Sequence, residues 1–283
     1  MQFLERFITS FDNLSLYVRD YGDPLDSRPP LFCLGGLTRN SKDFEGFANR
    51  YSADGRRVIC PDYRGRGRSA YDPNWKNYDP RIYIRDVQDI LSALNIHHIV
   101  IVGTSLGGIL GMGLAAAAPT VLAGLVINDV GPEIETEGLD FIIDYIKEDR
   151  PQDDWGAAIV TIKTMLPNLT FQDEDIWLKM AQNTFRKCDD GKLRFDWDVN
   201  IAKPLMDPSY EMPDMWPFFR ALKNVPTLAL RGAVSDILSK DCFEKMRIVK
   251  PDLFAVEIPR AGHVPTLSEP ESRAALDDFL GRY

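Results

Sequence analysis

The 283-residue sequence is short of several things that would otherwise suggest a function. It has four cysteines, Cys33, Cys60, Cys188 and Cys242, far apart and without a CxxC pair or a neighbouring histidine. Neither a zinc site nor a dithiol redox motif is expected from that spacing. It has no GK[ST] phosphate loop and no GxGxxG dinucleotide turn, so nucleotide chemistry has no recognisable seat. No apolar run approaches the ~18 residues that a membrane-spanning helix needs. The first 14 residues mix Glu5, Arg6 and Asp12 into their apolar positions. They lack the basic start, apolar block and small-residue cleavage site of a secretion signal. A cytoplasmic protein with free thiols is therefore expected. Histidine is scarce as well. There are three, His97, His98 and His263, which narrows any search for a general base.

The net charge is −9, which argues against nucleic acid or an anionic membrane surface as a partner. That charge is unevenly placed. Residues 131–215 hold 19 Asp and Glu against 9 Lys and Arg, and the remainder is close to neutral. The concentration of acid in one central stretch suggests a separate structural unit there.

On either side of that stretch, short apolar runs alternate with amphipathic segments. Residues 7–11 and 14–21 suggest an opening hairpin that turns at Asp12-Asn13. Runs at 31–34, 57–60, 98–102 and 122–128 have the length and β-branched content of strands. Segments 43–53, 81–94 and 106–118 have helical spacing between them. The alternation resumes with strands at 227–230 and 254–258 and helices at 216–222, 239–249 and 271–280. Continuous apolar strands separated by helices imply an α/β fold with a mostly parallel sheet covered on both faces. The central stretch has a different pattern. Apolar positions 139–146 and 155–165 lie on helical faces, Thr170 with Asp173 resembles a capping box, and Asp190-Gly191 suits a short hairpin between 185–187 and 193–195. The expected division is core 1–130, helical insertion 131–215 and core 216–283.

The chemistry centres on Gly103-Thr104-Ser105-Leu106-Gly107. A bare G-x-S-x-G is a modest signal, arising by chance in roughly one chain in ten of this length. Its setting is more specific, because a strand precedes it and a small-residue helix follows. A serine on so sharp a turn needs small neighbours two residues either side, and Gly103 and Gly107 meet that need. The helix N-terminus behind it presents free N–H groups where negative charge would develop.

A serine hydroxyl needs a base. His97 and His98 precede the strand, at the end away from Ser105. His263 lies in a loop after the last strand, on the carboxyl edge where ligand sites of parallel sheets collect. The base in turn needs a carboxylate. Asp236, after the strand at 227–230, is favoured, and Asp129, directly after the strand at 122–128, is the alternative. An oxyanion hole would use the backbone N–H groups of Leu106 and of Leu37, the latter in the Gly35-Gly36-Leu37 loop. No metal and no organic cofactor is required.

Five segments carry a resemblance: Leu34-Gly35-Gly36-Leu37, Asp62 to Ser69, Gly103 to Gly108, Gly232 to Asp236, and Gly262-His263. Together they resemble the α/β-hydrolase superfamily over nearly the whole chain. The resemblance implies an eight-stranded sheet under a helical cap inserted after strand 6. It also implies hydrolysis through a serine acyl-enzyme. Serine at the turn sets the chain apart from haloalkane dehalogenases and epoxide hydrolases, which carry Asp there. Gly35 stands where most members have His. That departure counts against activities in which a side chain at that position acts. A small, apolar carboxylic ester is the expected substrate. Carbon–carbon cleavage of a vinylogous diketone, and a ligand sensor on the same scaffold, are the alternatives. The charged run Asp62 to Ser69 is expected to stitch a turn rather than to bind a ligand.

Overall fold

The computed structural model describes residues 2–135, 142–166, 174–209 and 211–283. Ten strands are present among them. β1 (Leu4–Thr9) and β2 (Ser15–Tyr21) form the expected hairpin, turning through Asn13 at φ 64°. β3 (Leu31–Leu34), β4 (Val58–Pro61), β5 (Ile99–Thr104), β6 (Leu122–Asn128), β9 (Thr227–Gly232) and β10 (Phe254–Ile258) complete one eight-stranded sheet. Its order is β1-β2-β4-β3-β5-β6-β9-β10. β2 runs antiparallel to β1 and β4, and the remaining pairs are parallel.

The central strands are buried on both faces, as their uninterrupted apolar runs require. Alternate residues feed two cores. Phe32, Ile59, Ile101 and Ile127 point to one face and pack with Tyr83, Val87, Ile90 and Leu110 of the helices Pro80–Ala93 and Leu106–Ala117. Leu31, Val58, Val100 and Val126 point to the other, against Ala48 and against Leu276 and Phe279 of the helices Glu45–Tyr51 and Pro270–Leu280.

Local signals explain where these helices begin. Asp79 accepts a hydrogen bond from Arg81 N with Pro80 in the first turn, and Ser239 accepts one from Cys242 N at the start of the helix Lys240–Val249.

The chain between β6 and β9 lies outside this sheet. It contributes the helices Trp155–Met165 and Glu174–Thr184 and the two-stranded hairpin β7 (Phe185–Lys187) and β8 (Leu193–Phe195). Gly191 turns the hairpin at φ 82°. The possible capping box at Thr170 and Asp173 lies outside the described residues. Ile162, Trp177, Phe185, Phe195 and Trp197 join the same apolar core as the helix Leu106–Ala117, so the insertion is packed onto the sheet domain. Among the described residues no helix is long and apolar enough to cross a membrane.

Sheet register positions the site. Leu34 pairs with Gly103, Thr104 with Asn128, and Asn128 with Leu230. The carboxyl ends of β3, β5, β6 and β9 therefore lie level along one edge.

Candidate active site

Ser105 follows β5 directly and caps the helix Leu106–Ala117, with φ 51° and ψ −114°. That conformation is costly for a residue with a Cβ, of order 1–3 kcal/mol, and persists only where its surroundings enforce it. Its own N–H donates to Asn128 O at 2.9 Å. The turn is tight on both flanks. A Cβ on Gly103 would fall 2.4 Å from Gly107 O, and one on Gly107 would fall 2.1 Å from Leu34 O. Both distances are far inside contact range, so the glycines are required by close backbone approach.

His263 Nε2 lies 3.1 Å from Ser105 Oγ, and its Nδ1 lies 2.8 Å from Asp129 Oδ2. The imidazole is 13% exposed, whereas the Asp129 carboxylate is fully buried. His97 and His98 are exposed and remote in the fold, at the opposite end of β5.

The carboxylate beside His263 corrects the sequence-based preference. Asp129, and not Asp236, occupies that place. β6 is the immediate neighbour of β5, so the residue that ends β6 is one strand from Ser105. Asp129 turns out of the strand at φ 59°, which aims its side chain along the sheet edge. Asp236 lies four residues beyond the end of β9 and is exposed. Its neighbour Ser235 instead donates its hydroxyl to Asp129 Oδ2 at 2.7 Å. Gly232 N donates to Asp129 Oδ1 at 2.6 Å. Asp129 thus accepts two hydrogen bonds besides the one to His263, which hold the buried carboxylate in one orientation. The chain order Ser, Asp, His is the same for either aspartate and could not separate them.

A further contact was not legible from motifs. Asn128 is buried, and its Nδ2 donates to Pro265 O at 2.9 Å and to Thr104 Oγ1 at 3.2 Å. Its backbone carbonyl meanwhile holds Ser105 N. One residue therefore braces both the serine turn and the loop carrying His263.

The loop 35–37 abuts the serine: a Cβ on Gly36 would lie 3.8 Å from Ser105 Cβ. Its three carbonyls all accept hydrogen bonds. Tyr63 Oη donates to Gly35 O at 3.0 Å, Arg39 N to Gly36 O at 3.1 Å and Arg66 Nε to Leu37 O at 2.9 Å. Leu106 is the first residue of the helix behind Ser105, where an N–H has no carbonyl one turn earlier to meet. Leu106 thus follows Ser105 directly, and Gly36, the residue before Leu37, lies against the serine from the other loop.

The charged run from Asp62 to Ser69 is a stitched turn, as expected. Asp62 accepts from Ser41 N at 2.6 Å and Arg68 N at 2.8 Å, and burial nevertheless raises its pKa. Arg64 is fully buried and pairs with Asp12, Asp72 and Asp86 at 2.8, 2.6 and 2.5 Å.

Comparison with known proteins agrees with this architecture. A model of the alpha/beta hydrolase family matches residues 31–276. The 3-hydroxybutyrate-oligomer hydrolase of Cupriavidus necator is 29% identical, over 92% of this chain and 91% of that protein. The 2-(acetamidomethylene)succinate hydrolase of Mesorhizobium japonicum is 28% identical, over 94% and 92%. Among solved structures, an alpha/beta hydrolase from Novosphingobium aromaticivorans superposes with a TM-score of 0.91 at 42% identity, over 99% of both chains. The chain belongs to the alpha/beta hydrolase family and is a hydrolase of that type.

Proposed function

We propose that the protein hydrolyses a small carboxylic ester through an acyl-enzyme formed on Ser105. The observation that carries this reading is the unbroken chain from Ser105 Oγ through both nitrogens of His263 to Asp129. Nδ1 of His263 donates to the buried carboxylate, which leaves Nε2 as an acceptor facing the serine hydroxyl. Attack by Oγ on the substrate carbonyl transfers the serine proton to Nε2. Asp129 stabilises the imidazolium without taking the proton. The N–H groups of Leu37 and Leu106 receive the developing oxyanion. The imidazolium then protonates the leaving alcohol, and the same nitrogen activates water for deacylation.

The insertion between β6 and β9 serves as the cap, walling the cleft above Ser105. An ester is favoured because the Cupriavidus relative is named for an oligomer of a hydroxy acid, whose units are joined through ester bonds.

The test uses a fluorophosphonate probe with p-nitrophenyl butyrate and the linear dimer of 3-hydroxybutyrate as substrates. The expected result is labelling at Ser105 and turnover of at least one ester, with both abolished in Ser105→Ala. A wild-type protein that is neither labelled nor active on any of these esters would overturn the proposal.

A further inference from the structure

The turn from Asp62 to Ser69 carries three arginines, and they are used differently. Arg64 meets three carboxylates, and Arg68 pairs with Glu5 on the surface. Arg66 is fully buried, yet among the described residues no carboxylate pairs with it. Its guanidinium lies against the rings of Tyr83, Tyr78 and Tyr63, at 5.0, 5.6 and 5.8 Å from their centroids. Its Nε donates to Leu37 O at 2.9 Å and its Nη1 to Arg64 O and Tyr83 Oη at 2.8 Å each, while Nη2 has no partner among the described residues. A buried cation without a counter-ion is expensive, and three ring faces offset only part of the cost. A residue kept only for packing at that place would be apolar.

The direction of its Nε indicates the use. Leu37 O belongs to the loop that borders Ser105, and Tyr63 from the same turn holds Gly35 O. The Gly36 carbonyl is tied within the loop by Arg39 N, so the Gly36–Leu37 peptide has its oxygen engaged and its N–H left on the other side. The turn is itself anchored to the insertion by backbone bonds. Gly67 N donates to Asp196 O at 2.9 Å, and Asp198 N to Gly65 O at 2.7 Å. Tyr78 Oη adds a bond to Asp198 Oδ2 at 2.6 Å.

We infer that Arg66 is a positioning residue for the oxyanion loop, holding Leu37 by its carbonyl, one peptide beyond the Leu37 N–H, and linking it to residues 196–198 of the insertion. The inference rests on the acyl-enzyme reading given above. Its effect belongs to the tetrahedral intermediate, because the Leu37 N–H, which it positions through that residue's own carbonyl, meets full negative charge only there.

The experiment compares wild type, Arg66→Met and Arg66→Lys on p-nitrophenyl butyrate. Rates are expressed per active site titrated with fluorophosphonate. Inhibition by a phenylboronic acid, which adds to the serine as a tetrahedral anion, is measured in parallel. Arg66→Met removes the donor and the charge. It is expected to lower kcat by about 10- to 100-fold, less than or equal to the loss of an oxyanion donor itself. KM should stay within about threefold, and boronate affinity should fall in the same ratio as kcat. The pH midpoints of kcat/KM should not move, because His263 and Asp129 are untouched. Arg66→Lys keeps the cation and the aliphatic stem but loses the planar fork, and should fall between the two.

A role in folding alone would lower the melting temperature and leave kcat per titrated site and boronate affinity within about twofold of wild type. That result overturns the inference. Should Arg66→Met not fold, Arg66→Lys decides by the same two readouts. Failure of the hydrolase reading would be visible separately, as a wild-type protein that is neither labelled nor active.

Discussion

Asp129 Oδ2 lies 2.8 Å from His263 Nδ1, although 134 residues of chain separate them. β6 and β10 are not neighbours, since β9 runs between them. The loop after β10 must therefore reach back over the end of β9 to bring the imidazole to Asp129. A Cβ on Gly232, the last residue of β9, would lie 2.5 Å from Gly262 O, which shows how closely that loop crosses. The contact is thus a product of three strand ends, and it accounts for the choice between the two aspartates.

The first prediction concerns that choice. Asp129→Asn should reduce kcat by up to about 10⁴-fold, because the amide removes the charge and permits the wrong tautomer of His263. Asp236→Asn should change kcat by less than about threefold. Steady-state kinetics on an ester, with melting curves to confirm folding, checks both. A crippled Asp236→Asn beside a nearly normal Asp129→Asn would refute the assignment.

A second prediction follows from the serine turn. Gly107→Ala would place a methyl group 2.1 Å from Leu34 O, a backbone atom in the middle of the sheet edge. Relief requires moving β3 and the loop 35–37 together. The expected cost is about 1–3 kcal/mol in chemical denaturation, together with loss of serine labelling. Gly191→Ala in the β7–β8 turn is the contrasting variant, because a Cβ there meets nothing within 4 Å. It should bear only the modest strain of its positive φ and retain labelling.

The third prediction is a pH dependence of stability. A hydrogen bond from Arg64 lowers the pKa of Asp12, and Ser10 adds to the effect. A carboxylate whose folded pKa is depressed stabilises the fold above its unfolded value, near 3.9. That contribution is lost as pH falls through the folded pKa. Asp12→Asn should therefore melt below wild type at pH 7, and the gap should narrow as pH is lowered from about 4 towards 2. An equal gap at pH 7 and pH 3 would show that Asp12 acts through something other than its charge. The effect should be small, because Asp12 is partly exposed and solvent screens the pair.

Much of the site was legible in the sequence because its signals are local. The serine turn needs small residues at fixed offsets, and Gly103, Ser105 and Gly107 supply them within five positions. The strand before it and the helix after it are written in β-branched and small residues respectively. His263 could be picked out because histidine is so rare here and because it follows the last strand. The hairpin 185–187 with 193–195 appeared where the Asp190-Gly191 turn placed it.

The remaining features depend on which strands lie side by side. Two aspartates follow strands on the same sheet edge, in the same chain order, and no local pattern ranks them. The strand order β5-β6-β9-β10 does, by setting Asp129 one strand from Ser105 and leaving Asp236 exposed on a loop beyond β9. The same holds for Asn128, whose side chain bonds a loop 137 residues away, and for Arg66, whose partner Leu37 is 29 residues distant. The sequence by itself determined the alternation of strands and helices, the strained serine turn and the histidine that lies beside the serine. Those follow from side-chain size, periodicity and backbone sterics within a few residues. The tertiary structure alone decided which aspartate meets His263 and which side chains hold the carbonyls of the loop 35–37. Hydrogen bonds between distant segments exist only once sheet register has set the distances.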